Sequence, residues 1–219
     1  MSIAKMYADY QKYTSLLLKH SPSVIVGFDE TGNGAIAGPL CVGACALDLD
    51  FAEVVKDSKR YSSESARQKA YDMVQEHAIS TIAFMVDADE IARVGHAAAL
   101  ESLYVSALDF MYDMFGEDGL YIFDGDKPIE DTEIEHYSLV KADDFIPAVS
   151  AASVVAKCER DEAIQNVVIG PWRFDKDKGY PTPDHLKMLE ELGPVKGIHR
   201  MNVERVQKAF DDKGWYKGK

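Results

Sequence analysis

Cysteine, long apolar runs and positive charge are all in short supply in this chain, and each shortage excludes something. The only three cysteines of the 219 residues are Cys41, Cys45 and Cys158. They sit in apolar surroundings without C-x-x-C spacing, so neither a disulfide framework nor a zinc site follows, and all three read as core thiols. The longest apolar stretches, Leu40 to Leu47 and Ile146 to Ala156, fall well short of the roughly 20 residues a bilayer span needs. Asp9 and Lys12 interrupt the apolar pattern at the N-terminus, which leaves no signal-peptide core. A reducing, cytoplasmic setting is therefore expected. Repeats, low-complexity tracts and an evident linker are also missing, and none of the six histidines has zinc-ligand spacing to another.

Basic residues number 24 against 37 acidic ones, a formal net charge of −13. Such an excess argues at first sight against a polyanionic partner, because phosphates are contacted by Lys and Arg. Net charge is not local charge, however. Carboxylates gathered round divalent ions would reverse the sign of a site, and Lys59, Lys141, Lys176, Lys178, Lys187, Lys196 and Arg200 supply a separate basic strip. The 47% hydrophobic fraction is ample for a buried core, and the length suits one compact domain or one with an appendage.

Periodicity gives five strands and three main helices. Val24 to Val26 runs through Gly27 and Phe28 into Asp29-Glu30, and a glycine-rich turn, Thr31 to Pro39, leads to an apolar strand over Leu40 to Leu47. A helix over Ser62 to Ala78 precedes a strand over Thr81 to Val86. The spacing of Ile91, Val94, Ala98, Leu103, Leu108, Met111 and Phe115 predicts one long helix over Asp89 to Phe115, ended at Gly116. Strands follow at Leu120 to Phe123 and Ile134 to Val140, then a helix over Ile146 to Ile164. Thr182-Pro183-Asp184 offers a cap and an acidic first turn for a short helix stopped at Gly193, and another is expected over Asn202 to Phe210. Residues 1–164, with an N-terminal helix, form the expected catalytic domain, and 165–219 a helical segment packed on it.

Four acids, Asp29, Glu30, Asp124 and Asp143, follow or end apolar strand patterns, where an unpaired buried carboxylate is costly. Alternation places Asp29 on the face of Ile25 and Gly27, and Asp124 on that of Leu120 and Ile122. If those strands are neighbours, the two aspartates meet at one edge, while Glu30 points away from Asp29 unless the Gly32 to Gly34 turn bends the strand end and re-aims it. The bland reading is that these are solvated strand ends or helix caps. The sharper one is that hard oxygen donors bind Mg²⁺ or Mn²⁺, with two ions roughly 4 Å apart serving phosphodiester hydrolysis.

Gly27-Phe28-Asp29-Glu30-Thr31-Gly32-Asn33-Gly34 with Ala37-Gly38-Pro39 resembles the opening signature of ribonuclease HII, the type 2 ribonuclease H family. Asp57-Ser58-Lys59, Ile122-Phe123-Asp124-Gly125, Lys141-Ala142-Asp143 and Ser150 to Lys157 are similar to its later segments. Arg160-Asp161, Lys178-Gly179-Tyr180, Thr182, His185 and His199-Arg200 fall in the same order, so that the likeness covers about residues 24 to 205.

The resemblance implies an α/β ribonuclease H-like fold, a mixed five-stranded sheet flanked by helices with a helical C-terminal extension. It implies metal-dependent endoribonuclease activity on the 5′ side of a ribonucleotide, in an RNA/DNA hybrid or in duplex DNA, leaving a 3′-hydroxyl and a 5′-phosphate. Asp29, Glu30, Asp124 and Asp143 would be the catalytic, metal-binding acids, with Mg²⁺ or Mn²⁺ in a two-metal mechanism. Gly32, Asn33 and Gly34 would read the 2′-hydroxyl through main-chain atoms, Lys59 would hold a phosphate, and Tyr180 would stack on the neighbouring sugar. A monomer that needs no membrane is expected, with a replication clamp the protein partner to consider. Three positions depart from the pattern: Asn33 stands where the family has arginine, Pro181 where a glycine is common, and Asp126 where asparagine is common. A hybrid-binding module with little turnover and another nuclease of the same superfamily are the alternatives.

Overall fold

The structure, a computed structural model, describes residues 3–50, 61, 63–127, 129–130 and 132–218. Asp57 and Lys59 lie outside the described residues. The helices are α1 (Ile3–His20), α2 (Glu64–His77), α3 (Ala88–Val94), α4 (His96–Phe115), α5 (Pro147–Gln165), α6 (Phe174–Asp177), α7 (Pro183–Leu192) and α8 (Glu204–Lys213). The strands β1 (Val24–Thr31), β2 (Leu40–Asp48), β3 (Ser80–Val86), β4 (Gly119–Asp124) and β5 (Tyr137–Leu139) form one sheet in the order β3-β2-β1-β4-β5.

The chain divides into two compact units, one of Met1–Glu30, Val42–Phe84 and Tyr104–Cys158, the other of Thr31–Cys41, Met85–Leu103 and Glu159–Lys219. In the first, Ile25, Leu120, Ile122 and Leu139 from the sheet pack with Val149, Ala152 and Val155 of α5 and with Val74 of α2. In the second, Trp172, Phe174, Leu189, Val195 and Val206 form the core with Ile36 and Ile164. Cys41 and Cys45 are fully buried and Cys158 is half-buried, all unpaired as disulfides. Burial pushes the Cys41 thiol up to about 12, which leaves it protonated and unreactive.

Two expectations are corrected. The single helix over Asp89 to Phe115 is two helices, because Gly95 takes φ +89° between α3 and α4 and closes α3 as its C-cap. Periodicity continues across the break, so hydrophobic spacing alone does not reveal it. The strand over Ile134 to Val140 shrinks to Tyr137–Leu139, the stretch that pairs with Ile122 to Asp124 of β4. The other termini fall close to their predicted places, with Ser63 and Thr182 capping α2 and α7 by accepting from the Ala66 and His185 amides.

Candidate active site

β1 and β4 are parallel neighbours whose register runs Ile25↔Leu120, Gly27↔Ile122 and Phe28↔Phe123. The next step brings Asp29 level with Asp124 at the carboxyl ends of the two strands, and both side chains leave the sheet on the α5 side. That face is set by glycine. A Cβ on Gly27 would lie 2.2 Å from the Ala148 carbonyl carbon and the Val149 nitrogen, so β1 and α5 touch main chain to main chain. The close approach lets the Ser153 hydroxyl, one turn further along α5, donate to Asp29.

Asp29 is buried, as is Asp143, whereas Asp124 and Glu30 are half-buried. Asp143 sits in a 3-10 turn, Ala142–Asp144, entered through Lys141 in the left-handed conformation, φ 58°. A left-handed lysine costs about 1 kcal/mol, and here it directs the Ala142 amide onto Asp124 Oδ1 at 2.8 Å. The Ser150 hydroxyl holds the Asp143 carbonyl. Burial, followed by the charges of Glu30 and Asp124 and then of Asp143, keeps the Asp29 carboxyl well above the usual carboxylate range, against the opposing hydrogen bond from Ser153. The other three acids therefore act electrostatically on Asp29.

Glu30 leaves the sheet on the other side, as strand alternation requires. There Phe28 stacks on Phe123 at 4.1 Å, Tyr104 of α4 meets Phe123 edge-on at 5.3 Å, and the Tyr104 hydroxyl donates to Glu30 Oε2. Burial and the charges of Glu30 and Asp29 push the Tyr104 phenol well up, so it stays a donor. Among the described residues no three His, Cys, Asp or Glu side chains converge tightly enough to hold a metal ion as they stand. The donor chemistry nonetheless fits a hard divalent cation: oxygen ligands only, with mutual repulsion that a cation relieves. Sequence reasoning missed Tyr104, Ser153 and the Ala142 amide as partners of these acids. Tyr104 carries no signal distinguishing it from its apolar helix neighbours, while Ser153 was in view as part of a serine-alanine segment.

Of the remaining described residues singled out in the sequence, all but Asp126 belong to the second unit. Asn33 and Gly34 are exposed at the tip of the glycine-rich turn. Gly32 needs to be glycine, with φ +98° and a Cβ position 2.6 Å from Arg160 Nε. Gly34 does not: nothing lies within 4 Å of its Cβ position and its φ is not positive. Tyr180 is half-buried, with the Arg160 guanidinium 4.9 Å from its ring centroid. Arg200 is 1% exposed and donates to the carbonyls of Gly32, Gly38 and Pro39; its charge therefore does not belong to a surface strip. His185 and His199 form a buried pair, Nε2 to Nε2 at 3.0 Å, with the Val195 amide donating to His199 Nδ1. Asp126 is exposed.

A parallel β1-β4 pair within a five-stranded mixed sheet flanked by helices places the chain in the ribonuclease H-like fold class. Solved structures share the fold: a Bst-RNase HIII in complex with Mn²⁺ superposes with a TM-score of 0.69 at 18% identity, covering 90% of this chain and 72% of that one. The RNase HII of a PCNA:RNase HII complex from Archaeoglobus fulgidus gives 0.60 at 23% identity, over 77% and 87%. The family description Ribonuclease HII matches residues 26–206, and the Ribonuclease HII of Listeria innocua is 30% identical across 94% of this chain and 78% of its own length. The chain belongs to the ribonuclease HII family, and as such is a ribonuclease H, a phosphodiester hydrolase.

Proposed function

We propose that this protein hydrolyses the phosphodiester on the 5′ side of a ribonucleotide in an RNA/DNA hybrid or in duplex DNA, leaving a 3′-hydroxyl and a 5′-phosphate. The observation that carries this is the level placement of Asp29 and Asp124 on adjacent parallel strands, with Glu30 and Asp143 close enough for their charges to raise the Asp29 carboxyl. Asp29, Glu30, Asp124 and Asp143 would hold Mg²⁺ or Mn²⁺, which when bound supplies an acidified water and charge neutralisation at the leaving oxygen. The protein's own contribution is orientation. Ser153 and the Ala142 amide fix the Asp29 and Asp124 carboxylates, and Tyr104 holds Glu30.

Gly32, Asn33 and Gly34 would read the 2′-hydroxyl, the group that separates RNA from DNA. Gly34 supports that role because its own fold makes no demand for glycine there, whereas close approach of a ligand does. Tyr180 would stack on the sugar, Lys59 would hold a phosphate, and a replication clamp would be a partner.

The test incubates the purified protein with Mg²⁺ or Mn²⁺, and with chelator, on three duplexes: DNA bearing one ribonucleotide, an RNA/DNA hybrid, and DNA alone. Cutting of the first two only, abolished by chelator, is the expected result. Binding without cutting would point to a hybrid-binding module, and cutting of DNA alone to another nuclease of the superfamily. Asp124→Asn is expected to retain duplex binding and to lose at least about a hundredfold in turnover, as removal of a charged group acting in the transition state does; turnover at the parental rate would remove Asp124 from the mechanism.

A further inference from the structure

We propose that Arg160 is the positioning residue that seats the Tyr180 ring against the glycine-rich turn, and thereby sets the preference for a ribonucleotide over a deoxynucleotide. The inference rests on the reading above, that the turn and Tyr180 receive the substrate. Arg160 lies in the last turns of α5 and is fully buried. Its guanidinium reaches two separate segments. Nε donates to the Pro39 carbonyl at 2.9 Å and one terminal nitrogen to Ala37 at 3.3 Å, both in the turn, while the other donates at 3.0 Å to the carbonyl of Lys178.

Lys178 stands two residues before Tyr180 and adopts a left-handed conformation, φ 50°. The same planar cation lies 4.9 Å from the ring centroid of the half-buried Tyr180, a cation–π contact. One flat group thus fixes the 37–39 carbonyls, the backbone leading to Tyr180 and the plane of its ring.

Arg200 provides the contrast. Its hydrogen bonds go to Gly32, Gly38 and Pro39, so it braces the turn, and it meets Tyr180 through charge rather than through the backbone that leads to the ring. Asp161 Oδ1, 3.6 Å from Arg160, is the neighbouring countercharge. A buried guanidinium is a costly way to fill space, and an aliphatic side chain of similar size would serve packing alone. The fork geometry is what the position uses, and a lysine, with a point charge and no plane, does not reproduce it.

The decisive measurement is the ratio of equilibrium affinities for a duplex with one ribonucleotide and for the same duplex in DNA alone, in Ca²⁺, compared between the parent and Arg160→Lys. The parent prefers the ribonucleotide duplex, and the substitution is expected to cut that preference by about tenfold, the effect of losing one well-placed base or sugar stack. General loss of folded protein lowers both affinities alike and leaves the ratio unmoved. A lowered melting temperature with an unchanged ratio would therefore overturn the proposal.

Should the variant not fold, the parent labelled with ¹⁵N-arginine decides. The Arg160 Nε–H, assigned through its contact with the Tyr180 ring, should shift with the ribonucleotide duplex and stay in place with DNA alone; identical responses to both overturn the idea. A parent with no preference at all would instead strike the functional reading itself, and the proposal with it.

Discussion

Asp29 is 3% exposed and its carboxyl is held well above the ordinary range, by burial first and then by the neighbouring acids. Its folded pKa exceeds its unfolded one. Between those two values the folded protein keeps a proton that the unfolded chain has released, so stability falls as pH rises through that window. In chelator at neutral pH, Asp29→Asn should raise the melting temperature by about 3 °C, corresponding to about 1 kcal/mol relieved at a functional site. The gain should shrink toward zero as the pH falls toward the ordinary carboxylate range, where a proton neutralises Asp29 in the parent too. Scanning calorimetry of both proteins from pH 4 to pH 8 checks it, and a gain that grows on acidification contradicts the assignment. Gly34 gives the complementary case. With open space round its Cβ position and an ordinary φ, Gly34→Ala should leave the folding stability within about 0.5 kcal/mol of the parent. Affinity for a ribonucleotide-bearing duplex should nevertheless drop severalfold in anisotropy titrations. A stability loss without a binding loss would make the glycine a folding requirement.

At the scale of elements, the sheet face that carries the site is set by β1 and β2 approaching α5 more closely than ordinary side chains allow. Ala148, Ala152 and Ala156 recur every fourth residue on α5, and this stripe lies against Gly27 of β1 and Gly43 of β2, whose Cβ positions fall within 3.0 Å of α5 atoms. The serine-alanine segment was legible as part of a family pattern, but its physical purpose, a glycine-to-alanine contact between main chains, emerges only from the packing. Strand-borne acids were legible for a simple reason. An apolar run ending in Asp is rare unless something offsets the burial, and period-two alternation assigns Asp29 and Asp124 to one face and Glu30 to the other. Tyr104 was not legible, since 74 residues separate it from Glu30 and its neighbours Leu103 and Val105 give it the look of ordinary core. The fates of Arg160 and Arg200 were hidden by the usual expectation that arginine is a surface residue. Gly95 escaped because α3 and α4 keep one hydrophobic rhythm on both sides of it.

Taken whole, the molecule carries thirteen more negative than positive charges, and two of its arginines, Arg160 and Arg200, are buried on backbone carbonyls. Its long-range field therefore opposes the approach of a polyanion, and affinity must come from short-range contacts and from exposed cations near the bound strand. Asn33 is exposed at the tip of the glycine-rich turn, the place where the family pattern has arginine. Restoring that charge should act as a single added phosphate contact. In Asn33→Arg, the slope of log affinity against log salt for an RNA/DNA hybrid should steepen by about 0.7 to 0.9, the counterion release expected for one neutralised phosphate. Because the added term is screened, the two proteins should differ most at low salt and converge as the salt concentration rises. Anisotropy titrations from 25 mM to 300 mM salt measure both features. Parallel lines offset by a constant would mean that the new guanidinium acts on the turn itself, and coincident lines that this position faces away from the nucleic-acid backbone.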